Sequence, residues 1–341
     1  MSSSYRRRKN RSIAGVLGLL VVVLLVIIGF VLLSDSSEEI DGGPTASIWG
    51  DEMLGIDSDV DEALQGYRNI LIFGLDAKQR SDIIMVASIN KETNDVKVFS
   101  VYRDTYMQLN DEKTYSFSGG SAQYDFFKCN HAYFKGNATV AVKEFNRHLD
   151  MNSREYIGLD WAAISELVDE IGGIDVNVSP VVQSLTGGKI KHSGLQTLNG
   201  EQAVAYLRVR KDATAVQRSE RNQEVLMQVF RKVTSMSKSE QLEIFDTIQD
   251  EIETNMSTET MHEMLKTVSD LNVESCDGWP YDYDVLWQDD NSFYYYVPDT
   301  LESNVIELHK NIWGQSDYSV SSTVKNLSST IIKNKEEKVV R

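Results

Sequence analysis

Asp76, Asp82, Arg103 and Asp104 are the residues whose types and spacing first invite chemistry. They lie in Asn69–Thr105, NILIFGLDAKQRSDIIMVASINKETNDVKVFSVYRDT. The stretch reads as three short strands, Asn69–Phe73, Ile83–Asn90 and Val96–Tyr102, with charge gathered at their ends. The links are a turn over Gly74–Ser81 and a polar hairpin turn over Lys91–Asp95. Two carboxylates and an arginine at strand ends and in one loop can converge although they are distant in sequence. Carboxylates held close together repel unless a cation lies between them, and hard oxygen donors suit Mg²⁺. An arginine beside such a site is a natural partner for phosphate oxygens. The plainer reading is a set of strand-end turns carrying surface ion pairs, for which Asp and Arg are also common.

A second concentration lies downstream. Arg208, Arg210, Arg218 and Arg221 fall within fourteen residues. Arg218 and Arg221 share a helical face at a spacing of three, and backbone N–H groups of a first helical turn add to an anion site there. A solvated basic patch paired with Glu201, Glu220 and Glu224 is the alternative. Four arginines in so acidic a chain, joined by the upstream Arg/Asp group, favour a cradle for a polyanion such as a pyrophosphate.

The elements that must position these groups alternate between strand and helix. A short helix is expected near Asp59–Gln65, a helix over Asn137–Leu149, and a strand at Tyr156–Leu159. Asp160 has the position of a helix cap, Ile164, Leu167, Val168 and Ile171 share one face, and Gly172-Gly173 ends that helix. A strand follows at Ile174–Val178, then glycine-marked loops around a short hairpin. Helices are expected from Leu198–Gly200 to Val209, from Arg218 to Val233, and over Ser239–Ile252 and Thr258–Leu271. Tyr294–Val297 reads as an edge strand, Asp299–Trp313 as a closing helix, and 314–341 as a flexible Ser/Asn/Lys-rich tail. The pattern predicts one α/β domain over 67–313 with helices on both faces of a mixed sheet.

The 341 residues begin with a basic tail, 1–12, holding Arg6, Arg7, Arg8, Lys9 and Arg11. Ile13–Leu33 has neither charge nor proline and is long enough to cross about 30 Å of hydrocarbon as a helix. No small-residue cleavage site is evident after Leu33, so an uncleaved transmembrane anchor is expected rather than a signal peptide. The basic flank predicts a cytoplasmic N-terminus, with an extracellular juxtamembrane linker over 34–66 and an exported body. The formal net charge is −17, and the five positive charges before residue 34 leave −22 for that body. Such a surface excludes nonspecific binding to a nucleic-acid backbone.

Other chemistries lack their residues. The chain has no Gly-x-Ser-x-Gly elbow and no phosphate loop ending in Gly-Lys. The two cysteines, Cys129 and Cys276, read as a disulfide or as two unpaired thiols. His131 reads as packed, since Asp104 already offers a base. Lys128 could reach a phosphate but stands alone. The Trp279–Tyr296 aromatics read as edge-strand packing, with stacking on sugars as the alternative.

Four motifs stand in order: Gly74-Leu-Asp76 with Arg80-Ser-Asp82; Ser100-Val-Tyr-Arg103-Asp104-Thr105; Asn130-His-Ala-Tyr133; and Gly194–Gly200 running into Ala205-Tyr206-Leu-Arg208-Val-Arg210 and Arg218-x-x-Arg221. With the Ile171–Val176 turn, the short tail and the anchor, the chain resembles the LytR-CpsA-Psr proteins of Gram-positive cell envelopes. Tyr102 stands where that family usually has proline. The resemblance implies a three-layer α/β/α domain with a mixed central sheet that holds a polyprenyl pyrophosphate lipid. It implies transfer of a lipid-linked glycopolymer to a peptidoglycan acceptor by phosphoryl transfer in cell-wall biogenesis. Carried over by position, Asp76 and Asp82 would hold Mg²⁺, and Arg103, Arg208, Arg210, Arg218 and Arg221 would contact the pyrophosphate. Asp104 would organise the site or assist removal of the acceptor proton. The alternative is a membrane-anchored lipid-pyrophosphate binder or envelope scaffold without transfer.

Overall fold

The computed structural model describes residues 50–76, 80–109, 126–209, 225, 228, 229, 232, 233, 235–257, 272–287 and 294–337. The expected anchor at 13–33 with its flanks, Arg210, Arg218 and Arg221, and the helix expected over Thr258–Leu271 lie outside them. No helix among the described residues is long and apolar enough to cross a membrane.

In chain order, α1 (Ser58–Leu64) is capped by the Asp57 carboxylate and leads into β1 (Tyr67–Leu75), β2 (Ser81–Asn90) and β3 (Asp95–Ser100). The β2–β3 turn closes through the Asn90 side chain, which accepts from the Glu92 and Thr93 amides, and Asn94 takes a positive φ of 65°. Next come the two short strands β4 (Tyr106–Gln108) and β5 (Phe126–Lys128), then α2 (His131–Leu149). This element joins two helical segments across a kink at Asn137 (φ 67°, ψ −172°): the second is the helix expected over Asn137–Leu149, and a short segment from His131 precedes it. Strand β6 (Glu155–Asp160) runs into α3 (Trp161–Glu170), whose first amides, those of Ala162 and Ala163, donate to Asp160. Gly172 and Gly173 end α3 with φ of 72° and 81°.

Strand β7 (Ile174–Val178) ends as expected and is followed by α4 (Pro180–Leu185), a short helix where only glycine-marked loops were expected. Proline fits there because the first helical position needs no N–H. Strand β8 (Gly194–Leu198) pairs back with β7, and Asn199 then caps α5 (Gly200–Leu207) through a reciprocal bond pair with Gln202. Helix α6 (Lys238–Ile248) is shorter than expected, because Ile252–Thr254 leaves as strand β9. Strands β10 (Asn272–Ser275), β11 (Tyr283–Trp287) and β12 (Tyr294–Pro298) precede α7 (Leu301–Trp313) and α8 (Ser322–Glu336).

Among the described residues the central sheet has six strands in the order β10-β3-β2-β1-β6-β9. It is mixed: β10 with β3 and β1 with β6 are parallel, and the other pairs are antiparallel. Alternation along β1 sends Ile70 and Ile72 to one core and Leu71 and Phe73 to the other. The first core is roofed by α3, α5, α6 and the helical residues Val225, Val229 and Val233. The second is roofed by α1, α2, α7 and α8. Helices on both faces make the three layers the sequence pattern called for.

Two boundaries differ from expectation. The linker assigned to 34–66 already holds folded chain, since Leu54, Val60 and Leu64 are buried in the second core. The tail assigned to 314–341 contains α8, with Val324, Leu327 and Ile331 buried. Their spacing is that of one helical face, a signal the polar composition concealed. Asp150, left-handed at φ 46°, fastens the start of α8 by accepting from the Ser321 amide at 2.8 Å, its hydroxyl at 2.6 Å and Tyr318 Oη at 3.1 Å. The cysteines are unpaired: Cys129 is buried and Cys276 half-buried.

Replacing Ile331 by Ala should lower unfolding stability by about 2–4 kcal/mol in chemical denaturation, whereas a disordered tail would show no change. Two buried histidines generate a pH prediction. His148 accepts from the Gln108 amide through Nε2, and His309 stacks on Tyr318 with ring centroids 3.5 Å apart. Burial lowers their pKa values to about 3 and about 4. The unfolded chain therefore binds the protons first, and stability should fall as pH drops from about 6.5 towards 4. Denaturation midpoints across that window, with His148→Gln flattening the slope, would check this.

Candidate active site

Strand β1 pairs with β2 in regular register until Gly74 faces Ile83, after which Leu75 faces Ser81. Asp82 is thus the extra residue of a β-bulge. A bulge bends its strand and re-aims a side chain, as occurs beside many active sites. The Asp82 carboxylate meets Arg103 Nη1 at 2.5 Å.

Arg103 and Asp104 are the two middle residues of a tight turn. Both the amide and the hydroxyl of Thr105 return to the Tyr102 carbonyl, at 2.8 and 2.6 Å. Strand β3 therefore stops at Ser100, earlier than expected, and delivers the pair through this turn. Backbone bonds hold it on three sides: Asn130 N–H to the Arg103 carbonyl, Tyr296 N–H to the Asp104 carbonyl, and Tyr102 N–H to the Trp279 carbonyl. The Asn130 carbonyl in turn accepts from Ser81 N–H, which ties the turn to the bulge.

The charges alternate. Arg103 lies between Asp82 and Asp104, its Nε 3.6 Å from Asp104 Oδ2, and Lys128 Nζ donates to Asp104 Oδ1 at 2.6 Å. Side-chain exposure is 7% for Asp82, 6% for Asp104, 14% for Lys128 and 23% for Arg103, so of these four the guanidinium is the group best placed to meet a ligand. Burial works against its charge, but Asp104 and Asp82 outweigh that and raise its pKa. Lys128 also sits 5.0 Å from the centre of the Tyr294 ring. Asn130 is buried, and its Oδ1 has no hydrogen-bond partner among the described residues.

Asp76 pairs with Arg80. Arg80 N–H and guanidinium donate to its carboxylate at 3.0, 2.9 and 2.6 Å, and Asp76 N–H donates to the Arg80 carbonyl at 2.9 Å. Each of the two carboxylates thus pairs with an arginine, Asp76 with Arg80 and Asp82 with Arg103. Among the described residues no group of three His, Cys, Asp or Glu side chains could hold a metal. Two hard carboxylates do fit an ion that takes its remaining ligands from phosphate and water, which is how Mg²⁺ is usually held.

Arg208 ends α5, exposed, with its guanidinium 5.8 Å from the Trp161 ring centre. Trp161 follows Asp160, which faces Leu75 in the parallel β1–β6 register. Arg208 therefore belongs to the same end of the sheet as Asp76, outside the carboxyl ends of the two parallel strands, where ligands of α/β sheets bind. Arg210, Arg218 and Arg221 lie beyond the described residues.

The model of the LytR_cpsA_psr family matches residues 51–311. The chain belongs to the LytR-CpsA-Psr family. Its relatives include the polyisoprenyl-teichoic acid–peptidoglycan teichoic acid transferase TagU of Bacillus mycoides, 29% identical over 70% of this chain and 76% of that protein. The transferase of the same description called TagT, from Bacillus subtilis, is 27% identical over 82% of this chain and 90% of its own. The crystal structure of B. subtilis TagV superposes with a TM-score of 0.58 at 25% identity, over 74% of this chain and 98% of that one.

For this LytR-CpsA-Psr protein, the sequence alone left Lys128 as an isolated cation, gave Arg80 no role beyond its motif, and read the tyrosines of β12 as edge-strand packing with sugar stacking as the alternative. Lys128 ends a strand of two phenylalanines directly before the Asn130 motif, and that position was its available signal. His131 packs as expected, edge-on to Phe127 with ring centroids 4.6 Å apart.

Arg103→Ala would leave two buried carboxylates without their shared partner and should cost about 2 kcal/mol or more in urea unfolding. Arg80→Ala, with a side chain 35% exposed, should cost less than about 1 kcal/mol.

Proposed function

We propose that this protein transfers a polyprenyl-pyrophosphate-linked glycopolymer to peptidoglycan in cell-wall biogenesis. The observation that carries this reading is the buried alternation Asp82–Arg103–Asp104–Lys128 at one end of the sheet, in a chain of this family. The relatives named above, described as transferases of polyisoprenyl-linked teichoic acid to peptidoglycan, support the substrate class.

In the proposed reaction an acceptor sugar hydroxyl attacks the phosphorus that bears the glycan. A phosphodiester forms, the bond to the bridging oxygen breaks, and polyprenyl phosphate leaves with the electron pair. Phosphoryl transfer of this kind needs positioning and charge neutralisation more than covalent help. Arg103 would exchange part of its contact with Asp82 for phosphate oxygens, and Arg208, Arg210, Arg218 and Arg221 would add positive charge around the pyrophosphate. Asp104, held by Lys128, would accept the hydroxyl proton or orient the hydroxyl; a positioned base contributes about 10²–10⁴-fold. Asp76 and Asp82 would hold Mg²⁺, which when bound supplies further neutralisation of phosphate charge.

The basic tail, the apolar stretch 13–33 and the acidic remainder support a single-pass membrane protein with a cytoplasmic N-terminus and an extracellular catalytic domain. Partners would be the membrane, the lipid-linked glycan and the peptidoglycan acceptor, with no role for nucleic acid.

Native mass spectrometry of the full chain in detergent, with an added polyprenyl pyrophosphate, tests the reading. Wild type should retain the lipid in a Mg²⁺-dependent way, Arg103→Ala should lose it, and Asp82→Ala should abolish glycan transfer. Lipid retention unaffected by Arg103→Ala would refute the assignment of the site. Transfer surviving Asp82→Ala would remove that residue from the chemistry.

A further inference from the structure

Strands β11 and β12 form a hairpin outside the central sheet, with Trp287 opposite Tyr294, Val285 opposite Tyr296 and Tyr283 opposite Pro298. Because side chains alternate along a strand, Tyr283, Val285, Trp287, Tyr294 and Tyr296 share one face. The other face carries Leu286, Tyr295 and Val297 into the second core. Core packing therefore accounts for one face of the hairpin and leaves a row of rings on the other. Ring centroids lie 5.0 Å apart for Trp287 and Tyr294, 5.5 Å for Tyr294 and Tyr296, and 4.7 Å for Tyr296 and Tyr283. Tyr102 abuts Tyr283 and Tyr296 at 5.9 and 5.7 Å. At one end Trp287 is 55% exposed. Opposite it, Tyr294 lies under the ammonium of Lys128, the group that holds Asp104.

An ordered row of aromatic rings, buried at Tyr296, half-buried at Tyr283 and Tyr294 and open to solvent at Trp287, that adjoins a charged cluster fits a ligand with flat apolar faces and hydroxyl edges. Sugar rings have that chemistry: their C–H faces lie on aromatic rings, and phenol hydroxyls meet their edges. A membrane surface would favour a basic rim. Here the chain beyond residue 33 carries −22, and the one lysine of α8 that reaches the hairpin, Lys335, is already paired with Asp284 at 2.7 Å and Asp299 at 3.3 Å. We propose that this face is the docking platform for the glycan strand of the acceptor, with Trp287 and Tyr294 as its stacking residues. The inference rests on the proposed function in one respect: Asp104 serves the attacking hydroxyl, so the sugar bearing that hydroxyl lies beside Tyr294 and the strand runs on towards Trp287. The platform thus selects the acceptor, while the arginines select the donor pyrophosphate.

Isothermal titration calorimetry of the full chain in detergent with chitotetraose, a soluble β-1,4-linked tetramer of N-acetylglucosamine, tests the platform without the donor. Wild type should bind, and Trp287→Ala and Tyr294→Ala should each weaken binding roughly tenfold, the scale expected for one lost aromatic contact. Tyr294→Phe should keep most of the affinity, and polyprenyl pyrophosphate retention should match wild type in all three. The exposure of Trp287 makes a folding failure of its variant detectable as an exception, and circular dichroism would report it. No binding by wild type, or equal binding by both alanine variants, overturns the platform. So does adhesion to phosphatidylcholine–phosphatidylglycerol vesicles that depends on Trp287 while saccharide binding does not. Loss of the lipid arm alone would sink the reading of the charged cluster and leave the saccharide result standing.

Discussion

The site depends on one guanidinium serving two buried carboxylates. Asp82 and Asp104 are nearly withdrawn from water, and two anions so placed would destabilise the fold without a cation between them. Arg103 supplies it from within the same turn as Asp104, and Lys128 completes the compensation from a neighbouring strand. The arrangement is neutral overall yet easily polarised. In the proposed reaction an incoming phosphate would offer Arg103 the same oxygen chemistry that Asp82 already does.

Everything around this group serves to hold a short, irregular piece of backbone still. The bulge at Asp82, the turn at Tyr102–Thr105 and the start of α2 are stitched together by the Ser81–Asn130–Arg103 backbone bonds. The sheet behind them is buried on both faces, a fixed support for the charged groups at its edge. On the hairpin side, the Asp104 carbonyl accepts from Tyr296, so the aromatic row and the charged row share one anchoring bond. Helix α8, beyond the family match at 51–311, pins that hairpin through Lys335 and meets Tyr106 through Asn334 at 3.3 Å.

Much of this was legible in the residues. The alternation in Asn69–Thr105, the Asp160 cap, the Gly172-Gly173 stop and the Asn199 start are local signals, and each formed the element it implied. Asp76, Asp82, Arg103 and Asp104 stood out because charge at strand ends is conspicuous in an otherwise apolar stretch. Composition misled at the C-terminal end of the domain, where Ser, Asn and Lys around Val324 hid apolar residues at helical spacing; at the N-terminal end the short helix near Val60 was legible, but not its burial in the core.

What the sequence determined by itself is therefore periodic or local: strand faces, caps, glycine turns, the acidic charge of the body and the ordered motifs of the family. What only the tertiary structure decided is pairing across distance. Nothing local says that Asp82 meets Arg103 twenty-one positions away or that Lys128 meets Asp104 across twenty-four. Nor could the tyrosines of β12 be assigned to core or surface until the Tyr283–Pro298 register set which rings share a face. A charge's partner is chosen by desolvation and geometry that exist once the sheet has assembled, and a single-residue bulge is enough to change that choice.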